Sequence, residues 1–341
     1  MTPRVSITIP TFNRPAYLEE AIESALAQTY PEIEVLVFDN GTMPETLEVA
    51  ERAARHDERV IFRRNERDLG MSANFNALAD AARGEFMVAI GDDDRLLPEF
   101  VETLLAQMTP GVRVVFSNHY LIDGSGRRLK GESDALTRQY GRDQLRSGVI
   151  ADAERAAWQQ SIAMSASLLR TADMQRLRFH EDLNTPDLEF FIRLAQEGAR
   201  FAFCPKYLME YRVHARAVTA GGLWSERVVA RLAAVSVRPE IEPYKRQLLA
   251  PMMVNAVSRC LQQGEIGKAR QFLRSHYYPG RRVQLSRIGR ERARASESEP
   301  APGYSGGLYD LLGGLLQGFC ANLPGGIGGP IYRFVRRASH G

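Results

Sequence analysis

Five short apolar runs recur along the first third of the chain, each parted from the next by a stretch of helical periodicity. That alternation restricts the fold more than any other feature. Val5-Ser6-Ile7-Thr8-Ile9, Glu34-Val35-Leu36-Val37-Phe38, residues 59–63, Phe86-Met87-Val88-Ala89-Ile90 and residues 112–116 read as strands. In the first intervening segment Pro15 suits an opening helical turn, where its missing N–H costs nothing. Leu18, Ala21, Ile22, Ala25 and Leu26 then form one buried stripe. Further helices are expected near residues 44–55, 74–82 and 98–107. This order predicts an α/β fold with a mostly parallel sheet and helices on both faces. Ligands of such sheets bind beyond the carboxyl ends of the strands.

Two acidic features stand at those ends. Asp39 closes the second strand within Asp39-Asn40-Gly41, a turn signal. Asp92-Asp93-Asp94 follows the fourth strand through Gly91. Like charges packed so closely raise each other's pKa unless something positive binds between them, which suggests a divalent cation. The plain alternative is a solvated acidic turn. In extended backbone neighbouring side chains point to opposite faces, so either Asp92 and Asp94 or Asp93 alone meets the cation.

Composition narrows the class. The net charge of +3 is small, but arginines crowd the stretch from Arg270 onward and recur at Arg333, Arg336 and Arg337. Such a basic segment suits an anionic surface or is simply solvated; no nucleic-acid partner is expected. Three scattered cysteines, Cys204, Cys260 and Cys320, argue against a disulfide framework or a cysteine metal cluster. With no signal-like N-terminus and no apolar run of about 18 residues, a cytoplasmic location is expected.

Residues 117–213 are mixed, with a polar turn at Asp123-Gly124-Ser125-Gly126, a helical stretch near Trp158 and an amphipathic helix over 188–196. Helices over 248–262 and 266–276, parted by Gly264, form a helix–turn–helix pair. Residues 287–302 read as linker. The closing segment, 308–335, reads two ways: as an interfacial membrane anchor giving peripheral membrane contact, or as a capping helix weakened by its glycines.

Four separated motifs resemble one family, the inverting nucleotide-sugar glycosyltransferases of family 2 with the GT-A fold. They are Ile9-Pro10-Thr11-Phe12-Asn13-Arg14; Phe38-Asp39-Asn40-Gly41-Thr42; the stretch 65–76 with Gly84-Glu85 and Gly91-Asp92-Asp93-Asp94; and Leu188-Glu189-Phe190-Phe191-Ile192-Arg193-Leu194-Ala195 with Tyr211-Arg212-Val213-His214. Together they span roughly residues 4–215.

The resemblance implies a transferase moving a sugar from a nucleoside diphosphate, UDP by default, to a hydroxyl of a glycan or lipid-linked acceptor, in surface polysaccharide synthesis. It implies Mg²⁺ or Mn²⁺ as cofactor, held by Asp93, Asp94 and His214. Pro10, Thr11, Asn13, Arg14, Asp39, Asn76, Asp92 and Arg212 are assigned to the donor, with Asp39 on the base or ribose and Arg212 on phosphate charge. Asp187 becomes the catalytic base, ahead of Glu181 and Asp182; by residue type alone it is an ordinary helix-capping Asp. A helix N-terminus is expected to keep it ionised.

The implied organisation is a GT-A domain over 1–220, with a donor half to about 116 and an acceptor half beyond. A helical extension over 221–286, a linker over 287–307 and an amphipathic segment over 308–341 follow. Two departures stand out: Asn40-Gly41-Thr42 replaces the family's Asp-Gly-Ser, and Phe75 stands where an Arg commonly contacts the nucleotide. The rival expectation is a non-catalytic nucleotide-sugar-binding or scaffold protein on the same fold.

Overall fold

The computed structural model describes residues 2–183, 185–214 and 226–279. The expected linker and C-terminal segment, with Cys320, lie outside the described residues. The chain divides into two units, Met1–Val228 and Val229–Gly341.

The first unit opens β1 (Val5–Thr11), α1 (Pro15–Leu26), β2 (Ile33–Asp39), α2 (Pro44–His56), β3 (Val60–Arg64), α3 (Met71–Ala81) and β4 (Phe86–Ala89). It continues with β5 (Arg95–Leu96), α4 (Phe100–Leu105), β6 (Val112–Ile122), α5 (Lys130–Gln139), β7 (Gly148–Val149) and α6 (Ala153–Trp158). Then come β8 (Ser167–Arg170), α7 (Thr171–Leu177), α8 (Pro186–Gln196) and β9 (Arg200–Arg212). One sheet runs β3-β2-β1-β4-β8-β6-β9-β5, with β7 on β9. The first four strands are parallel, as their crossover helices require.

Past β4 the sheet changes character, because β8, β5 and β7 pair antiparallel with their neighbours. β6 extends six residues beyond the apolar run that marked it and pairs parallel with β9 through register shifts near Ser117 and Asn118. Those shifts bend the two strands so that β9 also meets the short β5.

The core explains the runs. Every residue of β2 is buried, as β-branched and aromatic strands covered on both faces should be. Ile7, Ile9, Val35 and Val37 pack with Leu18, Ile22, Val88 and Phe100 in one cluster. Under that cluster a polar node ties three segments: Ser6 Oγ donates to Glu34 Oε1 at 2.6 Å, while Arg83 N donates to the same oxygen and Gly84 N to Ser6 Oγ.

The second unit contains most of α9 (Glu226–Ala234), then α10 (Glu242–Gln262) and α11 (Ile266–Arg274). The expected pair is present, with α10 starting six residues earlier than its apolar pattern suggested. Buried Lys245 donates to the carbonyls of Ala233 and Val235, satisfying acceptors at the end of α9. No helix among the described residues is long and apolar enough to cross a membrane.

Gly84 touches the node with no room for a side chain: an added Cβ would lie 2.7 Å from Ser6 N and 2.8 Å from Arg4 O. Both are backbone atoms of β1's entry. Gly84→Ala is expected to destabilise the chain by roughly 1–3 kcal/mol, read as a lower urea midpoint at unchanged slope.

Candidate active site

The Asp triplet sits in a tight turn between β4 and β5, closed by Asp94 N donating to Gly91 O at 3.2 Å. Because β5 pairs with β9, Arg95 opposite Glu210, the triplet lies against the end of β9. Asp92 and Asp94 are 4% and 2% exposed, whereas Asp93 is partly open. The alternation that sequence left undecided thus turns Asp93 outward.

Each inward carboxylate is committed to the fold. Asp92 Oδ2 accepts from Thr11 Oγ1 at 2.8 Å and from Phe12 N at 3.1 Å, and Oδ1 accepts from Arg14 Nη1 at 2.9 Å. It fastens the loop after β1. Asp94 Oδ1 accepts from Arg212 N at 3.0 Å, which fastens β9. The expected place of Asp94 on the metal is therefore corrected. Its carboxylate is turned into the protein, toward backbone and the Ser165 hydroxyl.

Arg212 requires a second correction. It is 1% exposed, and each guanidinium nitrogen already has partners: Nε donates to Asp93 O at 2.8 Å, Nη1 to the carbonyls of Asp123 and Gly124, and Nη2 to Glu20. Its group also lies 4.5 Å from the centre of the Tyr17 ring. Instead of reaching for phosphate, it holds the Asp93 backbone against α1 and the turn after β6.

Asp93 Oδ2 is the meeting point on the outer side. Arg14 Nη1 lies 2.8 Å from it and His214 Nε2 3.0 Å, and the His214 ring packs on Tyr17 at 5.1 Å. A hard carboxylate oxygen and an imidazole facing each other fit a divalent cation's donor set. Among the described residues no three His, Cys, Asp or Glu side chains gather as a metal-holding group. Asp93 and His214 are thus the pair with the right chemistry, and Arg14 bridges Asp92 and Asp93 as their positive neighbour.

A second network lies at the ends of β2 and β3. Asn13, at φ 55°, a conformation asparagine tolerates, turns its Oδ1 to accept from Thr42 N and Met43 N, both at 2.9 Å. Only glycine fits at position 41, since a Cβ there would come within 2.3 Å of that oxygen. Asp39 is fully buried; Oδ1 accepts from Gly41 N at 2.6 Å, while Oδ2 has no hydrogen bond and faces Arg64 Nε at 3.4 Å. Burial raises its pKa, opposed by the Gly41 N–H and Arg64. A cleft of about 510 Å³ opens beside it, lined in part by Asn40, Thr42, Arg64 and Asn65.

Sequence reasoning passed over Arg64, which donates to Gly41 O and Met43 O, by ending β3 one residue early. It also passed over the amide chain in which Asn65 donates to Asn40 and Asn74, and Asn74 to Phe38 O. Four asparagines between positions 65 and 76 and at 40 were the available signal. Pro10 lies on β1 beside this network.

Asn76 belongs to neither network. It is 2% exposed and exchanges two hydrogen bonds with the backbone of Phe179, so its expected contact with the donor is corrected. Ser72 donates likewise to Leu183 O. Helix α3 thereby anchors the loop leading to α8, and Phe75 spends its ring on Phe179 at 5.7 Å. Asp187 is the second residue of α8 and partly exposed, while Glu181 and Asp182 are exposed. Its own N–H and that of Leu188 pull its pKa down, but burial outweighs them and the net direction is up. The helix N–H groups act on its charge in the expected direction, with burial opposing them. No hydrogen bond joins Asp187 to the Asp92–His214 network among the described residues.

A GT-A architecture with carboxylates on the carboxyl rim of a parallel half-sheet defines a nucleotide-sugar-dependent glycosyltransferase class. Residues 6–170 match the family description "Glycosyl transferase family 2", and this part of the chain is a family 2 glycosyltransferase domain. It is 27% identical over 217 residues to an uncharacterised glycosyltransferase of Methanocaldococcus jannaschii, covering 62% of this chain and 71% of that one. It is 34% identical over 129 residues to a GalNAc(5)-diNAcBac-PP-undecaprenol beta-1,3-glucosyltransferase of Campylobacter jejuni, covering 38% of this chain and 41% of that relative. Among solved structures, S. aureus TarS with UDP-GlcNAc superposes at a TM-score of 0.59, 17% identical, over 87% and 93% of the two chains. The mannosyltransferase PcManGT of Pyrobaculum calidifontis, with GDP-Man and Mn²⁺, superposes at 0.57, 16% identical, over 100% and 87%.

Two predictions follow from the geometry. Arg212→Ala would strand buried carbonyls and should cost on the order of 3 kcal/mol in chemical denaturation. Burial and the Asp93 charge push Asp92 up to about 6 and Asp94 in the same direction. A raised folded pKa means stability is full below the unfolded value near 3.8 and is lost as pH rises through about 6. Without divalent ions the urea midpoint should fall across that window, and fall less in Asp92→Asn.

Proposed function

We propose that the chain is an inverting glycosyltransferase that moves one sugar from a nucleoside diphosphate to a hydroxyl of a glycan or lipid-linked acceptor. The observation that carries this reading is the single rim shared by Asp39, whose buried Oδ2 has no hydrogen bond, and the Asp93–His214 pair. Asp39 Oδ2 faces Arg64 without a hydrogen bond, and the imide or hydroxyl of a nucleoside entering from the cleft lined by Asn40 and Arg64 would supply a donor. UDP is the default; two structural neighbours, TarS and PcManGT, are complexes with UDP-GlcNAc and GDP-Man respectively.

Asp93 and His214 would hold Mg²⁺ or Mn²⁺, which supplies Lewis-acid stabilisation of the departing diphosphate. Arg14, already shared between Asp92 and Asp93, presents a second positive charge on that side. Arg212 keeps Asp93 in place without touching the donor.

Asp187 accepts the proton of the acceptor hydroxyl as that oxygen attacks the anomeric carbon from the face opposite the diphosphate. A carboxylate pushed upward by burial is a better base than a solvated one, yet stays held by helix N–H groups. In this reading residues 1–220 form the catalytic domain and 221–286 an appended helical part. The work is done at the cytoplasmic side of surface polysaccharide assembly, for which the Campylobacter relative's undecaprenol-linked name is the support.

Asp187→Asn should leave nucleotide-sugar affinity within about twofold while lowering transfer by roughly 10²–10⁴-fold. Full transfer in that variant would remove Asp187 from the role. Equilibrium Mn²⁺ binding should weaken in Asp93→Asn and in His214→Ala, and a nucleotide-sugar panel assayed with and without chelator would identify the donor. Nucleotide-sugar binding without any transfer or hydrolysis across the panel would favour a binding protein on the same fold.

A further inference from the structure

A guanidinium buried without an anion or a full set of acceptors is costly. Arg142, in the short helical turn between α5 and β7, is 1% exposed, and only its Nη1 has a partner, His119 Nδ1 at 3.2 Å. Nε and Nη2 are buried with no hydrogen bond among the described residues. These two nitrogens form the side-on fork that grips the two oxygens of a carboxylate or phosphate.

Other arginines of this chain show how that fork is normally filled. Arg59 uses it on Asp57, Arg95 on Glu210 and Arg113 on Asp173. Arg212, as buried as Arg142, has every nitrogen engaged. The groups that bear on the charge of Arg142 are Tyr140 and Tyr207, and burial brings its pKa down to about 10. His119 supplies no counter-charge either. Burial and Arg142 hold its pKa well below the usual imidazole range, so it stays neutral and accepts through Nδ1.

The surroundings connect this fork to the acceptor side. The Arg142 guanidinium lies 5.8 Å from the centre of the Tyr140 ring, and the Tyr140 hydroxyl is raised by burial and by the Asp187 carboxylate, with Arg142 opposing. Tyr140 is thus within electrostatic reach of both Arg142 and Asp187. Tyr140, Tyr207 and Tyr211 are all partly exposed, and Tyr211 packs on His119 at 5.9 Å. Rings with an apolar face and a polar edge suit a carbohydrate.

We propose that Arg142, backed by His119 and lying beside the Tyr140 ring, is an oxyanion subsite that takes a phosphate or carboxylate carried by the acceptor. This rests on reading the Asp187 side as the acceptor side.

The test uses the full chain without donor or metal. Inorganic phosphate and glucuronate are titrated separately, against chloride at equal ionic strength, and thermal midpoint and calorimetric heat are recorded. At least one anion should raise the midpoint saturably. A response to phosphate alone marks a phosphoryl-bearing acceptor, and a response to glucuronate alone marks an acidic sugar.

Arg142→Met should lose the response while melting no lower than the parent in chloride, because an unpaired buried charge has been replaced by a shape-matched apolar chain. Arg142→Lys, which keeps charge but not the fork, should weaken the anion about tenfold or more. Asp187→Asn should keep the response, so a failed base assignment is read separately from a failed subsite. The proposal is overturned if neither anion acts, if Arg142→Met responds like the parent, or if Arg142→Met melts lower in chloride, which would mark a structural arginine.

Discussion

Two carboxylates with almost no exposure, Asp92 and Asp94, must be satisfied by the protein itself, and the way they are satisfied builds the site. Asp92 draws in Thr11, Phe12 N and Arg14 from the loop after β1; Asp94 draws in the backbone of Arg212 from the end of β9. Segments separated by about two hundred residues are thereby stapled to one turn. Arg212 completes the staple from the other direction, through Asp93 O, the turn at Asp123 and Gly124, and Glu20. The outer side of Asp93, where Arg14 and His214 converge on one oxygen, is the part of the turn that faces away from the core.

The same economy of polar partners runs through the rest of the rim. Asn13, Asn40, Asn65 and Asn74 use their amides to hold loops, and one oxygen of Asp39 faces Arg64 without a hydrogen bond at the edge of a cleft that Arg64 lines. Ser72 and Asn76 extend the scaffold from α3 to the backbone of residues 179–183, and so to the start of α8 and Asp187. Polar residues in α3 that look like ligand contacts in one dimension are therefore braces. Asp39 Oδ2 and the Arg142 fork, two of the buried polar groups without a hydrogen bond among the described residues, carry opposite charge.

Much of the architecture was legible because it is written in local periodicity. Buried strands such as β2 must be apolar throughout, and α1 must show its stripe, whatever the rest of the chain does. The antiparallel strands β5, β7 and β8 were not legible, since two to four residues carry too little pattern to be told from loop. The length of β6 was missed for a related reason: its second half carries Ser117, Asn118 and His119, polar side chains whose burial depends on partners elsewhere.

For the site, residue type and position at strand ends were enough to single out Asp39 and the Asp triplet, and the family pattern added His214 and Asp187. Direction was not available, because it is decided by pairing across the chain. Only the antiparallel contact of β5 with β9 turns Asp93 outward and Asp94 inward. Only the packing of β9 against α1 converts Arg212 from an apparent phosphate ligand into a buried brace. A linear chain records which groups are costly to bury; which of them the fold leaves wanting a partner is a property of three-dimensional neighbours.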